Sequence, residues 1–201
     1  QMNADAALRS QCALQAPVLC SPVRLNCMAR SPTPIGDTIL NAIVFNPRSQ
    51  SAVACMDFEN LLASIPRLFD LLDERAVGYV LVGGIAMRVH SPGRNTQDIG
   101  LIIPEADLDR IPELRILDQN ESFARAEFGQ LQVDILLANH DLFDLVREKH
   151  ARRESFVERS IVCATVKGLL LLKLFALPSL YRQGQFSRVE DYEHDISVLI
   201  R

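Results

Sequence analysis

Asp98 and Asp134 each lie amid apolar neighbours in short segments of strand-like pattern, and the pair Gly83-Gly84 follows the apolar run Tyr79-Val80-Leu81-Val82. In a strand, residues i and i+2 share a face. Asp98 and position 100 therefore point one way, while Ile99, Leu101 and Ile103 point into a core. Asp134 likewise faces away from Val133 and Ile135 within Leu131-Gln-Val-Asp-Ile-Leu-Leu. One acid in a strand usually lies at an edge or in solvent. Two, on separate strands behind a Gly-Gly turn, suggest a magnesium site, because a hard cation takes oxygen ligands. The glycines have two readings. They are either a plain tight turn or a place where backbone N–H groups at a helix start approach an anion closely. Position 100, where a further ligand would point at the same ion, is glycine.

Lys173 sits inside the apolar run Gly168 to Leu177. Either its stem lies along apolar surface with the ammonium in water, or the ammonium enters a polar pocket. The basic residues Arg147, Lys149, Arg152, Arg153 and Arg159 are interleaved with Glu148, Glu154 and Glu158, the pattern of a solvated helix face, with an RNA or phosphate contact as the alternative. His90 and His194 read as structural or exposed, and Cys163, beside Ile161 and Val162, as a small buried hydrophobe.

The elements that must position these residues begin at Met56. Asp57 to Ser64 and Pro66 to Arg75 read as helix, with Pro66 at a first-turn position. Tyr79 to Val82 reads as a buried strand, Ile85 to His90 as a short helix ended by Ser91-Pro92-Gly93, and Gln97 to Ile103 as a second strand. Helix and loop run to about Asn120. Phe123 to Phe128 and Leu131 to Leu137 form a hairpin about Gly129. Helices are expected at Asp141 to His150, Thr165 to about Leu177, and Val189 to Ile200. The result is an α/β (α+β) domain over residues 56–201, with a short mixed sheet, flanking helices and a helical C-terminal part. Residues 1–55 hold four of the five cysteines and five of the ten prolines, and little periodicity except at Thr38 to Phe45. They read as a poorly ordered or non-core extension.

The chain has 201 residues, 48% of them hydrophobic and 23% charged, with a net charge of −4. Such a chain builds one domain with a sizeable core and has no global basic field for nucleic acid. No run approaches a membrane span. The odd cysteine count, without any C-x-x-C, argues against a disulfide framework or a zinc site and for reduced thiols in a cytoplasmic protein.

In combination, the strand, Gly83-Gly84, the short helix, Arg94-x-Thr96-x-Asp98 and the later Asp134 resemble the nucleotidyltransferase superfamily with its DNA polymerase β-type palm. More narrowly they are similar to the bacterial toxin-type nucleotidyltransferases of the AbiEii group. Leu169 to Leu177 with Lys173, then Arg182 and Asp195-Ile196, resemble that group's tail. The resemblance spans Tyr79 to Arg201. It implies the nucleotidyltransferase fold and magnesium on Asp98 and Asp134, the latter also helping to activate an attacking hydroxyl. It implies contacts from Gly83, Gly84, Arg94, Thr96 and Lys173 to an NTP, transfer of NMP to a tRNA or protein acceptor, and an antitoxin partner. The family's second acid is Gly100 here. That departure puts activity in question and makes a catalytically impaired nucleotide-binding or protein-interaction module the alternative.

Overall fold

The computed structural model describes residues 33–44, 58–90, 96 and 98–201. These fall within a compact unit that runs from Pro32 to Arg201. Its frame is a seven-stranded mixed sheet in the order β3-β4-β5-β2-β1-β7-β6. The strands are β1 (Val80–Val82), β2 (Asp98–Ile103), β3 (Arg115–Gln119), β4 (Phe123–Phe128), β5 (Leu131–Leu137), β6 (Ala151–Ser155) and β7 (Ser160–Ala164). Central β1 runs antiparallel to β2 and parallel to β7, and β2 runs parallel to β5. The helices are α1 (Ile35–Val44), α2 (Phe58–Glu74), α3 (Gly83–His90), α4 (Asp141–Lys149), α5 (Val166–Arg182) and α6 (Phe186–Leu199). This is the mixed α/β architecture that the sequence pattern predicts.

Alternation decides the two faces of the sheet. Val133, Ile135 and Leu137 of β5 are buried and alternate with the partly exposed Gln132, Asp134 and Leu136. Ile99 and Leu101 of β2 and Ala124 and Ala126 of β4 join the same core. Helix α2 supplies its other side through Ile65, Leu68, Phe69 and Leu72, all fully buried. The two helices expected around Pro66 are one continuous helix with Pro66 inside it. A proline there removes a single backbone hydrogen bond, and the fully buried Ile65, Leu68, Phe69 and Leu72 around and after it hold the helix on the core.

The domain boundary expected at residue 55 needs correction at α1. Ile35 and Ile39 are fully buried in the core, within the segment read as extension. The backbone N–H of Ile35 donates to Glu158 Oε1 at 2.7 Å, so a carboxylate from the β6–β7 turn satisfies an otherwise orphan donor of the first helical turn. Residues 1–32 and 45–55, which hold Cys12, Cys20, Cys27 and Cys55, lie outside the described residues. The basic cluster is not a helix face either. Arg147 and Lys149 end α4, Arg152 and Arg153 lie on β6, and Arg159 in the following turn pairs with Asp70 of α2. Interleaved charge marks a solvated surface in helix and edge strand alike, and here it spans a helix-to-strand junction.

Among the described residues no helix is long and apolar enough to cross a membrane.

Candidate active site

The sheet face opposite the core forms, with α5 and α6, a cleft of about 1420 Å³. Asp98, Gly100 and Asp134 line it together. The register explains why. Asp98 pairs with Gln132 and Gly100 with Asp134, so both acids and position 100 project from one face of two neighbouring strands. The i, i+2 reading of β2 holds.

Burial raises the pKa of the Asp98 carboxyl above the ordinary carboxylate range, and the negative charge of Asp134 adds to the rise. Thr96 opposes it, its hydroxyl donating to Asp98 Oδ1 at 2.6 Å. Asp134 is held on its other side. Arg125 Nε donates to Asp134 Oδ1 at 3.0 Å, with Nη2 at 3.4 Å from Oδ2, and Gln132 Nε2 lies 3.3 Å from Oδ1. Two carboxylates that repel each other across one strand spacing suit a single divalent cation completed by substrate oxygens and water. They do not suit a bridged ion pair, which requires a further acid. Among the described residues no group of three His, Cys, Asp or Glu side chains is placed to hold a metal.

The two glycines differ in why they are glycine. Gly83, directly after β1 and at the start of α3, has φ +68°, a left-handed conformation that costs a side chain strain. Gly84 is buried, and a Cβ there would lie 2.5 Å from Thr96 Cβ and 2.7 Å from Thr96 Oγ1. Close packing of α3 against the Thr96 that orients Asp98 therefore requires this glycine. Its proximity to Thr96 links the Gly-Gly turn to the carboxylate pair.

Lys173 is neither snorkelling nor isolated. It is buried, with Nζ 2.7 Å from Oδ2 of the equally buried Asp195 and 4.3 Å from the centre of the Tyr192 ring. Lys173 and Asp195 line the same cleft as the aspartates. His194 lines it too, while His90 Nε2 lies 3.1 Å from the Ala164 carbonyl oxygen, a structural contact. Cys163 is fully buried, and burial pushes its thiol up to about 12. Arg94 lies outside the described residues.

Two cationic cleft residues that act on the carboxylates escaped the sequence reading. Arg125 was within reach. With a hairpin about Gly129, counting back from Phe128–Leu131 sets Arg125 opposite Asp134. Arg188 of α6, whose positive charge acts on Asp98, had no such signal, because only the packing of α6 on α5 brings it there.

No protein-family model matches the sequence, and no curated protein is similar enough to pair with it. Among solved structures the chain is similar to nucleotidyltransferases. One is ANT(2'')-Ia in complex with adenylyl-2''-tobramycin, with TM-score 0.49 and 16% identity over 67% of this chain and 84% of that one. Another is an antigenic nucleotidyltransferase-like protein from Paracoccidioides brasiliensis, with TM-score 0.48 and 17% identity over 71% and 76%. A third is the lincomycin-bound lincosamide antibiotic adenylyltransferase LnuA, with TM-score 0.47 and 17% identity over 68% and 94%. These likenesses carry neither substrate nor activity over to this chain.

Proposed function

We propose that the protein is a magnesium-dependent nucleotidyltransferase that moves NMP from an NTP to a hydroxyl acceptor. The observation that carries the reading is the convergence of Asp98 and Asp134 on one cleft with the Gly83-Gly84 turn, tied together by Thr96. Asp98 and Asp134 would hold the cation, which when bound offsets the charge of the transferring phosphate. The start of α3 offers backbone N–H groups and partial positive charge to the leaving pyrophosphate, and Arg188 and Lys173 line the same cleft. In the transfer, the acceptor oxygen bonds to the α-phosphorus as its bond to the bridging oxygen breaks. Pyrophosphate leaves with the electron pair, and the hydroxyl proton passes to an Asp134 carboxylate oxygen. Oδ2, at 3.4 Å from Arg125, is held less tightly than Oδ1 for that role. Arg94 belongs to the phosphate-binding set on the motif alone.

A second reading is favoured by Gly100 together with the Arg125–Asp134 ion pair. A missing acid and an arginine on one of the two that remain describe a pseudoenzyme that binds nucleotide or a protein without transferring anything. For the transferase reading, the AbiEii resemblance suggests a tRNA or protein as acceptor, an antitoxin as partner and a cytoplasmic location, against which the acceptor class argued below is tested. Two measurements decide. NTP binding by calorimetry with and without magnesium should show magnesium-dependent affinity that Asp98→Asn abolishes. Transfer from α-labelled NTPs to total RNA, protein and small-molecule extract then separates enzyme from pseudoenzyme. Absence of NTP binding by the wild-type chain refutes both nucleotide readings.

A further inference from the structure

The cleft has an aromatic end, and the strand register fixes where it lies relative to the carboxylates. One cross-strand row on the cleft face runs Val82, Gly100, Asp134, Arg125; the next runs Val80, Ile102, Leu136, Phe123. Asp98 lies two residues from Gly100 in the opposite direction, with Thr96 and the Gly84 turn. Along the strands the order is therefore Gly-Gly turn and Asp98, then Asp134, then Leu136 and Phe123. Phe143 of α4 and Phe175 of α5 line the same cleft as Leu136 and Phe123. Their rings meet edge-on with centroids 5.7 Å apart, and His140 packs on both, at 4.7 and 4.8 Å. Phe175 is nonetheless 48% exposed, a ring steadied by its neighbours and open to a ligand.

In-line displacement at phosphorus puts the entering oxygen and the departing pyrophosphate on opposite sides of the phosphorus. With pyrophosphate at the Gly83-Gly84 turn, the entering hydroxyl comes from beyond Asp134, over Leu136 and Phe123. We infer that the aromatic end of the cleft is the acceptor subsite, and that the acceptor is a small uncharged or cationic alcohol with a flat apolar body rather than a nucleic acid. This rests on the transferase reading above and names its acceptor class.

The charge at that end agrees. A nucleic-acid acceptor needs cations for its phosphates. Arg125 of β4 is engaged by Asp134, and Arg147 of α4 by Asp144. Asn139, just before His140, donates to Glu105 Oε2 at 2.9 Å, so the side chain tied to this turn is a carboxylate rather than a cation. The volume agrees as well, since about 1420 Å³ exceeds the roughly 300–1,000 Å³ that one small ligand fills and leaves room for two.

The test uses the full chain with magnesium and α,β-methylene-ATP. The probes are 2-phenylethanol, indole-3-ethanol and 2-naphthalenemethanol, with glycerol and erythritol as ring-free controls, read by saturation-transfer NMR. At least one aryl alcohol should bind where the polyols do not, and Phe175→Ala should weaken it about ten-fold, the loss of one aromatic contact. Phe175 is half exposed, so the variant should fold, and circular dichroism checks this. The inference is overturned if no aryl alcohol binds, if Phe175→Ala binds them equally, or if unfractionated tRNA accepts label from NTP. Affinity for α,β-methylene-ATP is read in the same samples. If nucleotide fails to bind, the transferase reading falls whatever the aryl alcohols do; if nucleotide binds and the aryl alcohols do not, only the acceptor class falls.

Discussion

Restoring the acid at position 100 tests the carboxylate geometry most directly. A Cβ on Gly100 would lie 3.2 Å from both Val82 Cγ2 and the Val82 carbonyl oxygen. The side chain can yield by a few tenths of an ångström, whereas the carbonyl belongs to the β1 ladder. Overpacking of this kind costs about 1–3 kcal/mol. The new carboxylate would also stand directly across from Asp134 and on the face of Asp98. Two charges roughly 5 Å apart, the spacing of a cross-strand pair, repel by about 3 kcal/mol at an effective dielectric constant near 20. At ~2–4 °C per kcal/mol for a domain of this size, Gly100→Asp should melt ~10 °C or more below wild type in EDTA. Magnesium should recover most of the electrostatic part, so its stabilising effect on Gly100→Asp should far exceed that on wild type. Gly100→Asn carries the same bulk without the charge; it should melt a few degrees low and respond to magnesium no more than wild type does. Differential scanning fluorimetry of the three proteins across a magnesium titration reads both terms. In transfer assays Gly100→Asp should exceed wild type, and Asp98→Asn or Asp134→Asn in that background should remove the gain. If Gly100→Asp and Gly100→Asn respond alike to magnesium, position 100 does not face the cation site and the geometry argued above is wrong.

Three further outcomes follow from the packing. Gly84→Val drives its Cβ into Thr96, so it should lower the melting temperature by several degrees as well as NTP affinity, and Gly84→Ala should show the same loss in milder form. The double change Ile35→Ala with Ile39→Ala empties two fully buried positions at about 2–5 kcal/mol each; a chemical denaturation midpoint within error of wild type would show that α1 adds nothing to the core. Lys173→Met takes the ammonium away from the buried Asp195 carboxylate, and breaking a buried pair in this way costs about 3–5 kcal/mol. Lys173→Met with Asp195→Leu should recover much of that loss, and an additive double-mutant cycle would contradict a direct ion pair.

Much of the frame was legible because strand alternation has only two outcomes. Once Ile99, Leu101 and Ile103 are inside, Asp98 and position 100 must face the other way together, and likewise Asp134 once Val133 and Ile135 are inside. The Gly-Gly turn after Val82 and the hairpin about Gly129 follow from backbone chemistry that neighbouring residues alone specify. The β6–β7 hairpin escaped because Ala151 to Ser155 is rich in charge and lies at the sheet edge, where burial imposes little pattern on its sequence. Helix α1 was misplaced because its core role depends on partners far along the chain, among them Glu158. Arg188 beside Asp98, Asp195 on Lys173 and the meeting of Phe143 with Phe175 all depend on how α4, α5 and α6 pack together over the sheet. Local sequence determines which face of an element a residue occupies. Which other element that face meets is decided by the summed burial of the whole core, and at those meetings between distant elements the charges and rings of the cleft come together.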